Sequence, residues 1–482
     1  MLIFFNLSST YIHIELFKYL SHSIARRNGW FITDESEKAD LMIQIGEPNQ
    51  PQIQIQRQDK LFLQLHPQHL TKIRKFLECE DARSPDEEPP PIEKPLMDTL
   101  CDEIHQNICS YCRKNRIPFL YRSQWPDGKP LAMSISHDID LTRKYGVKFF
   151  LSEFGKGHLH NSKRLILDFL QKKNEYWNFS ELLDQYRKKG IKSSFFFLSK
   201  PWERLNYRYN IQTVKFKNLF RDIQAAGHEI GLHSSRFAFD KPNKYEKQRK
   251  KLEKMIGRRV AGVRQHFLRV KFPIGWRYFE NSGFQYDSSC GYNNAIGFRA
   301  GTCLPFQTFD FEKNKTNALY EIPFCIMDYP WITNGKQFDD NWKRYLNIFR
   351  ITQEYNGLLN ILWHPNNLAE TLFRPYWDEM LEWLDGINFY QGTLHEIFQW
   401  IKKAQGVKLM NVTPSTDGLT FNLNSPCSIK DLTLRLISSH PLVDNQNDIK
   451  IKKVDDFDYQ LILGNIVEGN NQFQLKYLSN SP

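Results

Sequence analysis

No stretch of this 482-residue chain approaches the roughly 18 consecutive apolar residues that a membrane-spanning helix requires. The opening Met1-Leu-Ile-Phe-Phe-Asn6 carries no basic residue, and its apolar run is too short for a secretion leader. The expectation is therefore a cytoplasmic protein without a transmembrane segment, peripheral association with a membrane surface being the only membrane role left open. Cysteine is sparse as well. The eight cysteines, at 79, 101, 109, 112, 290, 303, 325 and 427, are scattered in a way that excludes a disulfide scaffold. No segment repeats another, and the basic residues form no aromatic–basic stripe, so no nucleic-acid partner is expected.

What is present points to a folded, multi-part protein. Hydrophobic residues make up 41% of the chain and aromatics 14%, too many for a disordered one. The net charge is +11. Its densest basic run, Lys241 to Arg259, also holds Leu252, Met255 and Ile256 at helical spacing, which predicts a solvated amphipathic helix. Cys101, His105, Cys109 and Cys112 fall along one side of a second predicted helix, Pro95 to Asn115. Ligands strung over three turns do not converge on one ion, so these residues are expected to form a core face.

Four regions follow from the pattern. Residues 1–80 alternate short strands (Leu2 to Asn6, Leu41 to Ile45, Lys60 to Leu65) with helical stretches near 11–25 and 67–78, as in a small α/β module. Residues 81–130 comprise a proline-rich linker, 81–91, and the connecting helix. Residues 131–405 run strand, helix, strand: Phe179 to Lys189 stops at Gly190, Val214 to Ala226 at Gly227, and 243–256 at Gly257, each followed by a strand. A further strand, Leu358 to Trp363, precedes a helix from Tyr376 to Leu384. About seven such units predict a parallel sheet closed into a barrel, with functional residues at the carboxyl ends of its strands. Residues 406–482 lose the helical pattern and read as a β-sandwich, with strands Leu419 to Leu423, Leu432 to Ile437 and Tyr459 to Leu463 and a turn at Asp444 to Asp448.

The strand-end rule then selects residues. His137-Asp-Ile-Asp140 closes the apolar run Leu131 to Ser136, and two acids two residues apart point the same way. Taken alone they can be a loop pair that caps the next helix. But the later strands end in His233, in Arg264 and His266, in Asp328 and in His364, so titratable and cationic groups gather at one rim. Gly297-Phe-Arg-Ala-Gly-Thr302 places Arg299 in a loop, and Trp331 and Trp363 lie beside two of the strand ends. These three are candidate substrate contacts, with packing of the barrel mouth as the alternative.

These strings, in this order, resemble the polysaccharide deacetylase family, the NodB-homology enzymes of carbohydrate esterase family 4. Asp138-Ile-Asp140 is similar to the family's first motif, an acid pair. Ser193-Ser-Phe-Phe-Phe197 is similar to its second strand, and Gly227-His-Glu-Ile-Gly-Leu-His233 to its second motif. Arg264-Gln-His-Phe-Leu268 stands at its arginine motif and Leu362-Trp-His364 at its last. The resemblance covers residues 131–405 and implies a distorted (β/α) barrel of NodB type. It implies a hydrolase that removes an acetyl group, N-acetyl first, from a saccharide or polysaccharide precursor. The cofactor implied is one divalent metal, zinc first, with cobalt, nickel or manganese as alternatives. By resemblance, Asp140 and His233 hold the metal and Asp138 is the general base, oriented by Arg264. A backbone N–H near Phe267 helps to stabilise the oxyanion. His364 is the general acid and Asp328 orients it.

One position departs from the family. Its second motif carries another histidine four residues after the first, and here that position is Phe237. His266 is the expected substitute as third ligand, and His137 is the other candidate. Were neither to complete the shell, a barrel that binds glycan without turning it over would be the alternative.

Overall fold

The computed structural model describes residues 3–6, 14–33, 40–45, 55–58, 60–65, 71–74, 92–143, 175–199, 209–333, 337–444 and 449–478. Most of the expected helix 67–78, the proline-rich stretch 81–91 and most of the expected turn Asp444 to Asp448 lie outside these residues.

The largest sheet has ten strands, numbered here in chain order. They are β1 (Ala132–Ile139), β2 (Ser193–Leu198), β3 (Glu229–Ser234), β4 (Gly262–Gln265), β5 (Tyr286–Asp287), β6 (Phe306–Asp310), β7 (Lys315–Glu321), β8 (Ile326–Met327), β9 (Leu358–Trp363) and β10 (Tyr390–Gln391). Their spatial order is β6-β7-β5-β4-β3-β2-β1-β9-β8, with β10 also on β1, and every pair except β6–β7 is parallel. The sheet curls so far that one extended segment closes it. The Ile322 N–H donates to Asp287 O and the Phe324 N–H to Cys290 O on the β5 side. The next residue, Cys325, donates to Asn360 O of β9. The segment β7–β8 thus bridges the two ends of the curl, and seven staves form a distorted (β/α) barrel.

Local sequence explains the staves. β2 is buried along its whole length because helices cover one face and the barrel interior the other. Inside, large rings fill space opposite glycine. A Cβ on Gly231 would stand 2.5 Å from the Phe196 ring, and one on Gly262 would stand 2.2 Å from that of Tyr286. The helix Phe179–Lys189 ends at Gly190 in the left-handed region (φ 65), as its sequence predicts. The basic run forms the helix Pro242–Ile256, burying Tyr245, Gln248, Leu252 and Ile256 and leaving its lysines to solvent.

An α/β element and a β-sandwich flank the barrel. Ile3–Asn6, Leu41–Ile45, Lys60–Leu65 and Ile55–Gln58 form a four-stranded sheet in that order, and the helix Ile14–Arg27 lies against the barrel through a Tyr19 hydroxyl to Gln307 O bond of 2.8 Å. The helix Leu96–Asn115 buries Cys101, His105, Cys109 and Cys112, the expected core face. At the other end, Lys408–Pro414, Gly418–Ser425 and Gly469–Lys476 form one sheet. Ile449–Asp455, Asp458–Ile466 and Ile429–Ile437 form the facing one, with leucines between them. Its fourth strand is Phe119–Arg122, from the connecting region. That strand was not foreseen, because four residues carry too little periodicity to mark a strand.

Candidate metal centre and active site

β1 runs three residues past the apolar segment, so His137 and Asp138 are still in the strand. Alternation sends Ser136 and Asp138 into the barrel and His137 out toward the helices. This removes His137 as a ligand. Its Nδ1–H donates to Trp363 O at 2.8 Å and its Nε2 accepts from the Tyr186 hydroxyl at 2.6 Å. Burial pushes its pKa down to about 3, so it is a neutral, doubly bonded core histidine.

Asp140, just beyond the strand, meets two imidazoles. Its Oδ1 lies 3.2 Å from His233 Nε2 and 3.3 Å from His266 Nε2, and the ligand atoms of the three residues all fall within 4.8 Å of one another. His233 donates its Nδ1–H to Arg264 O at 3.0 Å, which leaves the Nε2 lone pair facing Asp140. Among the described residues, no group donates a well-aligned hydrogen bond to Oδ1, a buried carboxylate oxygen. A buried oxygen in that state, flanked by imidazole nitrogens, suits a cation. Burial alone would raise the Asp140 pKa, but His266 and then His233 hold it well below the usual carboxylate range.

Around this group stand further polar and charged residues. Asp138 Oδ2 is 3.7 Å from His233 Nε2, and its Oδ1 faces Arg264 Nη1 at 3.4 Å. Arg264 is fully buried, sandwiched by the rings of Phe196 (4.8 Å) and Phe324 (5.1 Å). Its Nη2 donates to Ser136 Oγ at 3.1 Å and Ser288 Oγ at 2.7 Å. Asn360 in turn donates to Ser288 Oγ at 3.3 Å. These three polar residues went unnoticed in the sequence. Ser136 was legible from the period-two pattern through Asp138, and Asn360 as the polar residue of the expected strand Leu358 to Trp363; Ser288 sits in a segment that carries no signal.

On the opposite side, His364 Nε2 is 3.8 Å from Asp140 Oδ2, and its Nδ1 bonds Asp328 Oδ1 at 2.9 Å. Asp328 is itself locked by the backbone N–H groups of Tyr329 and His364 and by Asn367 Nδ2, each at 2.8 Å. Burial alone would lower the His364 pKa. Asp328, with Asp140 and Asp138 behind it, instead raises it to about 10, so the ring is cationic at neutral pH. His364 and Asp140 keep 18% and 15% side-chain exposure, whereas His233 and Asp138 keep 1% and 4%. The group therefore opens to solvent on the His364 side.

After His266 the chain turns sharply, with Phe267 (φ 60) and Leu268 (φ 50) in the left-handed region, a cost of about 1 kcal/mol or more each for residues with a side chain. The exposed Phe267 ring stacks on His266 at 4.2 Å. Phe237, in the place of the missing histidine, is 44% exposed and has no ligating atom.

Three expected substrate contacts lie elsewhere. Trp331 and Trp363 are both fully buried, packed on each other at 6.3 Å and on Tyr345, Tyr376 and Trp377. An enclosed indole offers no face to a sugar. Arg299 is also buried and donates to Gly291 O at 3.0 Å, beneath a loop whose Gly297 (φ 148) passes too close to Ile92 O to accept a Cβ. The packing alternative holds for all three.

No family model matches the chain, and no curated protein matches it. Solved structures do. A polysaccharide deacetylase described as putative, from Mycobacterium smegmatis, is 15% identical with a TM-score of 0.41, the match covering 60% of this chain and 96% of that one. A probable polysaccharide deacetylase from Pseudomonas aeruginosa PAO1 is 13% identical (TM-score 0.40; 58% and 93% covered), and an allantoinase is 13% identical (TM-score 0.40; 58% and 92% covered). Backbone likeness at this level says nothing about chemistry, which is decided by side chains.

Proposed function

We propose that this protein is a metal-dependent hydrolase that removes an N-linked acetyl group from a saccharide or a glycan precursor. The observation that carries the reading is the convergence of Asp140, His233 and His266, with Asp138 and His364 on either side of it. Two imidazoles and a carboxylate are the donor set of a catalytic zinc site with an open position. Zinc is the first choice, with cobalt, nickel or manganese as alternatives.

Asp140, His233 and His266 would hold a divalent ion, which would supply Lewis acidity for an acyl oxygen and for water near neutral pH. The remaining work falls to the chain's own groups. Asp138 takes the proton of the attacking water as general base, and Arg264 holds that carboxylate in place. His364 starts protonated, as a general acid must, and delivers its proton to the departing amine. Asp328 fixes its ring and keeps it charged. An amine is a poor leaving group unless protonated, so a histidine held cationic suits an amide better than an ester. The Phe267 N–H, in the turn after His266, adds a donor for the developing oxyanion.

The test is acetate release from a panel of N- and O-acetylated oligosaccharides with added zinc, cobalt, nickel or manganese. Release from N-acetyl substrates, abolished by chelation and restored by one of these ions, is the expected result. Saccharide binding without acetate release under any of the ions would overturn the catalytic reading.

A further inference from the structure

The outer face of the sheet formed by Lys408–Pro414, Gly418–Ser425 and Gly469–Lys476 has an unusual composition. Its inner face is apolar, with Leu419 opposite Leu475 and Phe421 opposite Phe473. By alternation the residues between them face outward and line up in three rows across the strands. The rows are Thr413-Thr420-Gln474, Asn411-Asn422-Gln472 and Lys408-Asn424-Asn470. Six of these nine are carboxamides, none is acidic or aromatic, and the charges of the face, Lys408 and Lys476, stand at its corners. The outer surface of the facing sheet, by contrast, carries Lys430, Arg435, Lys450 and Lys452, the usual charged exterior.

Within the array only Asn424 and Asn470 satisfy each other, at 2.7 Å. Among the described residues, the side chains of Asn411, Asn422, Gln472 and Gln474 bond to no other protein group, and all four are exposed or half-exposed. Each offers two N–H donors and one carbonyl acceptor. Strands about 4.8 Å apart set these amides on a flat grid. A protein partner would call for a cluster of aromatic or apolar anchors; among the described residues the array has Met410 alone beside it, 52% exposed in the bulge between Leu409 and Asn411, and no clustered cations that would suit an anionic ligand. The complement is a flat, neutral, hydroxyl-rich molecule.

We propose that this three-stranded face is a docking surface for a neutral polysaccharide chain, recognised by amide–hydroxyl hydrogen bonds. The site is separate from the barrel rim and does not depend on the catalytic reading. It is tested with the full chain carrying Asp138→Asn, so that turnover plays no part, by retention on insoluble xylan, β-glucan, mannan and chitin. At least one polymer should retain the protein equally at about 0.05 and about 0.5 M sodium chloride, because neutral hydrogen bonds are not screened. Asn422→Ala with Gln472→Ala should weaken retention by about tenfold or more, as should the independent pair Asn411→Ala with Gln474→Ala, with thermal unfolding unchanged. The proposal is overturned if no polymer retains the protein or if retention disappears at the higher salt, which would assign it to the net positive charge. Undiminished retention in both folded double variants would overturn it equally.

Discussion

Two sets of buried acids in one barrel titrate in opposite directions. Asp140 is driven well below its ordinary pKa, whereas Asp287 is raised to about 6 and its strand neighbour Glu321 well above its usual value. Burial pushes all three upward. What differs is the company: Asp140 faces two imidazoles, while Asp287 and Glu321 face each other across β5 and β7. Glu321 also accepts from Trp276 Nε1 at 2.8 Å and from the Cys290 N–H at 3.0 Å, which anchors it beneath the helix Ile274–Asn281. The imidazoles hold the Asp140 carboxyl toward its ionised form. The other set is pushed toward its protonated form, and Glu321 ties wall to helix.

Removing the ligands breaks this contrast most severely. His266→Ala should take bound metal from about one ion per chain to near none by elemental analysis, and acetate release should fall about a thousandfold or more, ~4 kcal/mol. His137→Ala should keep its metal. Asp138→Asn comes next: metal content unchanged and acetate release lower by about 10²–10⁴. A variant that loses its metal would make Asp138 a ligand and not the base.

The acid pair bears on stability instead. Both folded pKa values lie above the unfolded ones, near 4, so the contribution is fully present below about pH 4 and is lost as pH rises, for Asp287 through about 6. Between those limits the wild type should lose of order 2 kcal/mol that Glu321→Gln retains, read as unfolding midpoints in denaturant across that pH range. A parallel fall in both proteins would show that the pair is not the source of this pH dependence. The smallest effect is expected from Ser288→Ala. It deletes one donor-acceptor link to Arg264, costs about 1 kcal/mol, and should lower acetate release severalfold without changing metal content.

The site was legible where side-chain direction follows from strand register alone. Asp138, Asp140, His233, Arg264, His266 and His364 each close or follow a barrel strand, and one rim collects whatever parallel strands carry at their carboxyl ends. His266 could be proposed from its place two residues past Arg264. The two tryptophans failed because adjacency to a strand end does not tell mouth from wall. Trp363 is the last residue of β9 and alternation turns it outward under the helices, where Trp331 joins it. The strand Phe119–Arg122 was missed for a related reason, since its partner lies more than 300 residues away and no local pattern announces such a pairing.

The sequence by itself determined the barrel, its helices and the six groups at its rim, because these follow from periodicity, glycine stops and chain order. Only the tertiary structure decided between His137 and His266, since both are strand-flanking histidines and differ only in which side of the wall they face. It alone also set the charge states. The same carboxyl group is held ionised or pushed toward its protonated form according to what the fold packs against it.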